Sequence, residues 1–179
     1  MSHTRLVLTV IGADRPGLVG ELAAAINTHG GNWLQSSMAQ LAGQFAGIVE
    51  ADLPAARLPA LRTALDALTH LRVTIAEAGT PASTPAGRPV RKLRLALVGH
   101  DRPGIVREVS QVLARFAVNV ENLATRTASA PMSADILFHA EAELTAGSDL
   151  DARALIAEIE QLSNDLMVDI TLDESIRRG

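Results

Sequence analysis

The chain has 179 residues, a formal net charge of −4, 47% hydrophobic but only 2% aromatic residues, and no cysteine. Those figures exclude disulfides, thiolate metal sites and a thiol nucleophile, and with no block of Lys or Arg there is no footprint for neutralising nucleic-acid phosphates. No apolar run approaches the roughly 18 residues of a membrane span, and the first five residues enter a strand pattern without a leader, so a cytoplasmic chain with cores of Ala, Val, Ile and Leu is expected.

In chain order, Leu6 to Ile11 is apolar on both faces and β-branched, as a central strand would be. Gly12-Ala13-Asp14-Arg15-Pro16-Gly17-Leu18-Val19 then reads as a strand-to-helix turn, in which Asp14 can cap the helix and Pro16 has no amide to leave unpaired. Leu18, Leu22 and Ile26 recur on one helical face until Gly30-Gly31 supplies a left-handed stop. A second strand from Asn32 to about Ala42, a turn at Gly43-Gln44 and a third strand from Phe45 to Leu53 form a hairpin. Arg57 to Thr69 sets Leu58, Leu61, Leu65 and Leu68 on one helical face, and Leu71 to Ala76 alternates as a fourth strand.

Residues 79–91 carry three prolines and no periodicity, which predicts a linker between a first domain at 1–78 and a second at 92–179. The second domain repeats the first at a spacing of 87 residues, because Gly99-His100-Asp101-Arg102-Pro103-Gly104-Ile105-Val106 restates the turn. Around it lie a strand at Leu93 to Val98, a helix with Ile105, Val109, Val112, Leu113 and Phe116 inward, and a strand from Asn119 to Thr127. A hairpin four residues longer through Ala128 to Ala134 comes next, then a strand from Ile136 to Leu144, a helix from Leu150 to Ser163 and a strand from Met167 to Leu172. Each copy is therefore βαββαβ, an α+β ferredoxin-like unit with an antiparallel sheet and both helices on one face. Units this small are expected to lean on each other through their sheets or first helices.

A helix start offers free amides and a partial positive charge to a carboxylate. A carboxylate beside those amides, at Asp14 or Asp101, matches both ends of a zwitterion and so points to an amino acid. Asn32 and Asn119 open the second strand of each copy at the same distance from Gly17 and Gly104, and an amide both donates and accepts. The alternative is that the aspartates only cap helices and the asparagines only shape a turn.

The remaining candidates are weaker. His3, His29, His70, His100 and His139 are scattered without metal-ligand spacing, although His100 beside Asp101 could touch a ligand. Ser36, Ser37, Ser110, Ser129 and Ser133 lack a nucleophile elbow, and no glycine cluster forms a phosphate loop. Glu141 and Glu143 read as a solvated strand face, and Pro131 with Met132 as a variable loop. No catalytic residue, metal or cofactor is expected.

The turn G-x-D-R-P-G-[LI]-V, twice, each time inside βαββαβ, resembles the ACT domain, a small-molecule sensor that commonly binds amino acids. Two copies without an attached enzyme, together with the stretches after Asn32 and Asn119, are most similar to the glycine cleavage system transcriptional repressor family. The resemblance implies ligand between the turn of one copy and the second strand of the other. On that pattern Asp14, Pro16, Gly17 and Leu18 face Asn119, and Asp101, Pro103, Gly104 and Ile105 face Asn32. The serine-sensing ACT domains of phosphoglycerate dehydrogenases often carry His and Asn where this chain has Gly12 and Asp14, or Gly99 and Asp101. The resemblance further implies a cytoplasmic, non-catalytic regulator responsive to glycine or a serine-like amino acid. It would act through a DNA-binding transcription factor, with no direct nucleic-acid or membrane contact and room for homo-oligomers. The competing expectations are a detached regulatory subunit of an amino-acid metabolic enzyme, and a structural oligomer whose motif only caps helices.

Overall fold

The computed structural model describes residues 2–78, 90–130, 135–162 and 166–172, and the chain divides into two units, Met1–Ser83 and Thr84–Gly179. The first runs β1 (His3–Ala13), α1 (Leu18–Thr28), β2 (Asn32–Leu41), β3 (Gln44–Pro54), a 3-10 turn at Ala55–Arg57, α2 (Leu58–Asp66) and β4 (Leu71–Glu77). The second runs β5 (Val90–His100), α3 (Ile105–Arg115), β6 (Asn119–Ser129), β7 (Ile136–Gly147), α4 (Ala152–Glu160) and β8 (Met167–Leu172). Their antiparallel sheets have the orders β2-β3-β1-β4 and β6-β7-β5-β8. This is the ferredoxin-like arrangement, twice, as the repeat implies.

Alternation along each central strand decides which face the helices cover. Leu6, Leu8 and Val10 are buried, and Leu18, Leu22 and Ile26 of α1 and Leu61 and Leu65 of α2 join them in one cluster, so both helices lie on one face of the sheet. Thr9 and Ile11 point the other way and are exposed. Phe45 completes this core, and the half-buried Trp33 at the start of β2 packs against it. In the second unit Leu93, Leu95 and Leu97 meet Ile105, Val109, Val112 and Leu113 of α3 and Leu155 and Ile159 of α4. Glu141 and Glu143 stand exposed on the opposite face, as their alternation with Ala140 and Ala142 predicts.

Several boundaries differ from expectation for local reasons. The first hairpin turns at Ala42 (φ 50) and Gly43 (φ 75), not at Gly43-Gln44, because a two-residue loop matching strand twist needs positive φ at both positions. The second helix is shorter than Arg57 to Thr69: the 3-10 turn takes Ala55–Arg57, and the Leu71 amide donates to the Leu68 carbonyl as the chain turns into β4. Likewise α4 starts at Ala152, where the Asp151 carboxylate accepts from the amides of Arg153 and Ala154. Strand β5 begins at Val90, inside the stretch expected to be linker. Residues 79–89, the loop at 131–134 with Pro131 and Met132, and Ser163 lie outside the described residues.

Sheet register also fixes distances within each unit. Asn32 pairs with Asp52, whereas Ala13, next to Asp14, pairs with Gln44, eight positions away along β3. In the second unit Asn119 pairs with Thr145 and His100 with Leu137, again eight positions apart along β7. At about 3.3 Å per residue this is roughly 26 Å. An asparagine therefore cannot close over the turn of its own unit.

Candidate functional site

Each motif turn leads into its helix through a glycine. Gly17 (φ 97, ψ −9) and Gly104 (φ 93, ψ −8) are the N-cap residues of α1 and α3, both left-handed, and no side chain caps either helix. The first helical bonds run from the Glu21 amide to the Gly17 carbonyl and from the Glu108 amide to the Gly104 carbonyl, each 3.0 Å. The capping role expected for Asp14 and Asp101 is therefore corrected. A capping side chain must sit on the residue just before the helix, which here is a glycine with none to offer, and the aspartates stand three residues upstream. What pins them is backbone: the Asp14 amide donates to the Gly43 carbonyl and the Asp101 amide to the Ile136 carbonyl, both at 2.9 Å. Their side chains are exposed and, among the described residues, have no hydrogen bond or ion pair.

The motif arginines have partners that sequence reading missed. Arg15 bonds Glu21 at 2.8 Å, and His70, just before β4, reaches the same carboxylate at 2.6 Å. Arg102 bonds Glu108 at 2.6 Å and donates to the Leu162 carbonyl at 3.3 Å. Both glutamates stand four residues after the motif glycine, so extending the repeated words by two residues would have exposed them. For Glu21, desolvation pushes the carboxyl pKa up, but hydrogen bonds and charge from Arg15 and His70 together outweigh it and leave it lowered. For Glu108 the Arg102 hydrogen bond is the largest influence and, with the charges of Arg102 and Arg107, holds the group below its ordinary value despite desolvation.

These directions fix the sign for stability. A carboxyl lowered in the folded state contributes stability above its unfolded pKa, and that contribution is lost as pH falls through the lower folded value. Carbon NMR titration of the two glutamate carboxyls should give midpoints below the ordinary ~4.3. Midpoints at or above that value would show that neither contact persists in solution.

Beside the first turn lies a cleft of about 610 Å³ at the junction of β1, the α2–β4 connection and β4. Ile11, Leu68 and Val73 give it apolar wall, and Gln44, Asp66 and Arg72 give it polar wall. Gly12 lets the chain close here, since a Cβ on it would stand 2.4 Å from the His70 carbonyl oxygen.

The expected site residues are thus partly gathered and partly apart. Asp14, Pro16 and Gly17 share one exposed turn, as do Asp101, Pro103 and Gly104. Leu18 and Ile105 turn their side chains into the cores, at 2% and 3% exposure, and leave only backbone to a ligand. Asn32 and Asn119 are exposed at the far ends of their sheets.

Residues 4–76, the first unit from strand to strand, match the family model of the ACT domain. The first unit is an ACT domain. The second repeats its elements and sheet order, so the chain is a tandem of two ferredoxin-like units, the first of which matches the ACT domain. Two solved structures are alike over nearly the whole length. An unknown protein from Galdieria sulphuraria is 26% identical with a TM-score of 0.80, covering 96% of this chain and 99% of its own. A "putative glycine cleavage system transcriptional repressor" is 19% identical with a TM-score of 0.69, covering 96% of this chain and 98% of its own, a likeness of fold. No curated protein matches the chain.

Proposed function

We propose that this tandem ACT chain is a non-catalytic cytoplasmic sensor of a small amino acid, glycine or one of serine size, that acts on transcription by contact with a DNA-binding protein. One observation carries the reading: Asp14 and Asp101 cap nothing, yet both are held by backbone bonds as exposed, unpartnered carboxylates beside the open start of an 11-residue helix. A helix start without a capping side chain leaves amides for a ligand carboxylate, and the aspartate beside it suits the ligand's ammonium. Pro16 and Gly17, or Pro103 and Gly104, shape the turn, and Leu18 or Ile105 contributes its amide. Asn32 and Asn119 are not part of the site at the turn of their own unit, because neither reaches it. The ACT family and the repressor-like fold support regulation as the output.

The test is to replace Asp14 and Asp101 together by asparagine in the full chain. Since neither caps a helix, the thermal midpoint should stay unchanged, while glycine or serine affinity in titration calorimetry should fall at least tenfold with the loss of a charged partner. Unchanged affinity, or no binding of either amino acid to the wild type at millimolar concentration, would overturn the sensor reading.

A further inference from the structure

The cleft of the first ACT domain meets the motif turn at Gly12 but includes none of the residues assigned there to a ligand, and the charges of Arg72 and Asp66 are unspent. Arg72 and Asp66 have no hydrogen bond or ion pair among the described residues. The other cations of this unit's strands are engaged, His3 with Asp52 and Arg5 with Glu50, and Arg15 and His70 meet on Glu21. The fold does not demand Arg72 or Gln44, although the acid at the end of α2 recurs as Glu160 at the end of α4. By register, the second unit places Met167 where the first has Arg72, each opposite the β1 or β5 residue at the 87-residue spacing (Ile11 and Val98), and Leu137 where the first has Gln44. Met167 is 74% exposed, so the position tolerates an apolar side chain in water.

Three features of this cleft bear on its occupant. Asp66 ends α2 in the helix layer, whereas Arg72 belongs, by its pairing with Ile11, to the outer face of the sheet, so an anion and a cation flank the rim from two layers. Between them lie the strand ends at Gly12 and Gln44 and the turn at Thr69 and His70. Ile11, Leu68 and Val73 supply apolar wall. One amino acid carries its two charged groups on a single carbon, whereas an extended chain advances about 3.3 Å per residue and sets its ends about 10 Å apart with three, which suits charges held on two layers.

We propose that this cleft binds a short zwitterionic peptide of about three residues with apolar side chains. Its carboxylate sits on Arg72 and its ammonium on Asp66, and its apolar side chains lie against Ile11, Leu68 and Val73. The volume falls in the range that holds small molecules well above the size of glycine. Such a site uses none of the residues assigned to a ligand at the sensor turns.

The test uses the full chain and leucyl-alanyl-leucine, followed by amide NMR shifts of Leu71 to Ile75 and by calorimetry. The free peptide should move those amides. Leucine alone and the peptide acetylated and amidated at its ends should not. Arg72→Met, which installs the residue the second unit carries at this register, and Asp66→Asn should each weaken binding at least tenfold while the amide spectrum elsewhere stays folded. The Asp14→Asn and Asp101→Asn chain should bind the peptide as the wild type does, which separates failure of this site from failure of the turns. The proposal is overturned if β4 does not respond, if the blocked peptide binds equally well, or if Arg72→Met and Asp66→Asn leave affinity unchanged.

Discussion

Leu22→Ala should lower the stability of the first ACT domain by about 2–5 kcal/mol, the range for a buried leucine truncated where its surroundings cannot collapse. Leu22 is 0% exposed and lies midway between Leu18 and Ile26 on the face of α1 that meets Leu6, Leu8 and Val10. The neighbouring side chains are aliphatic and come from a rigid sheet, so little can swing in to fill the space. Amide hydrogen exchange resolves the result by unit: β1 and β3 protection should fall by roughly 1.5 to 3.5 orders of magnitude, since about 1.4 kcal/mol is a factor of ten. Unchanged protection in those strands would mean that α1 contributes little to holding the sheet. The same substitution tests the motif turn, because α1 carries Glu21 one residue before Leu22, and a loosened helix also loosens its contacts with Arg15 and His70.

Gly12→Val should cost on the order of 3 kcal/mol, through a clash that no rotamer relieves. The nearest atom to an added Cβ is a backbone oxygen, that of His70 at 2.4 Å, with Leu71 Cδ2 at 2.9 Å, and a carbonyl cannot move aside as a side-chain tip can. Gly12 pairs with Leu71 at the first rung between β1 and β4, so the strand would be pried off at the mouth of the cleft. Gly20→Ala is the matched control, because a Cβ there meets nothing within 4 Å. Urea unfolding should show the valine variant with a much earlier first transition and the control at or somewhat above wild type, since alanine suits the interior of α1 better than glycine by up to about 1 kcal/mol. A valine variant as stable as the control would remove the close approach as an account of this glycine.

The order of elements was legible in the sequence because the physics that sets it is local. Leu6, Leu8 and Val10 alternate while Leu18, Leu22 and Ile26 recur every fourth residue, and each pattern suits only one secondary structure. The 87-residue repeat then makes the second half predictable from the first. Legibility ended where a role depends on geometry between distant residues. Asp14 looks like a cap because aspartate so often is one, and only the left-handed φ of Gly17 moves the helix start three residues downstream. Glu21 reads as an ordinary exposed helix residue, yet Arg15 and His70 meet on it, and His70 is 49 positions away. Arg72 reads as a solvated strand residue; that it stands unpartnered beside a cleft is set by sheet register and by the turn after α2, neither of which has a sequence signature.

Trp33 gives the molecule a built-in spectroscopic asymmetry. It is the only tryptophan, and there is no tyrosine, so excitation near 295 nm addresses a single site in the whole chain. That indole is half-buried against the first core and sits beside Asn32 at the start of an edge strand. An emission shift during denaturation therefore marks the opening of one half of a duplicated scaffold while the other stays dark, and the phenylalanine-only second half must be followed by other means.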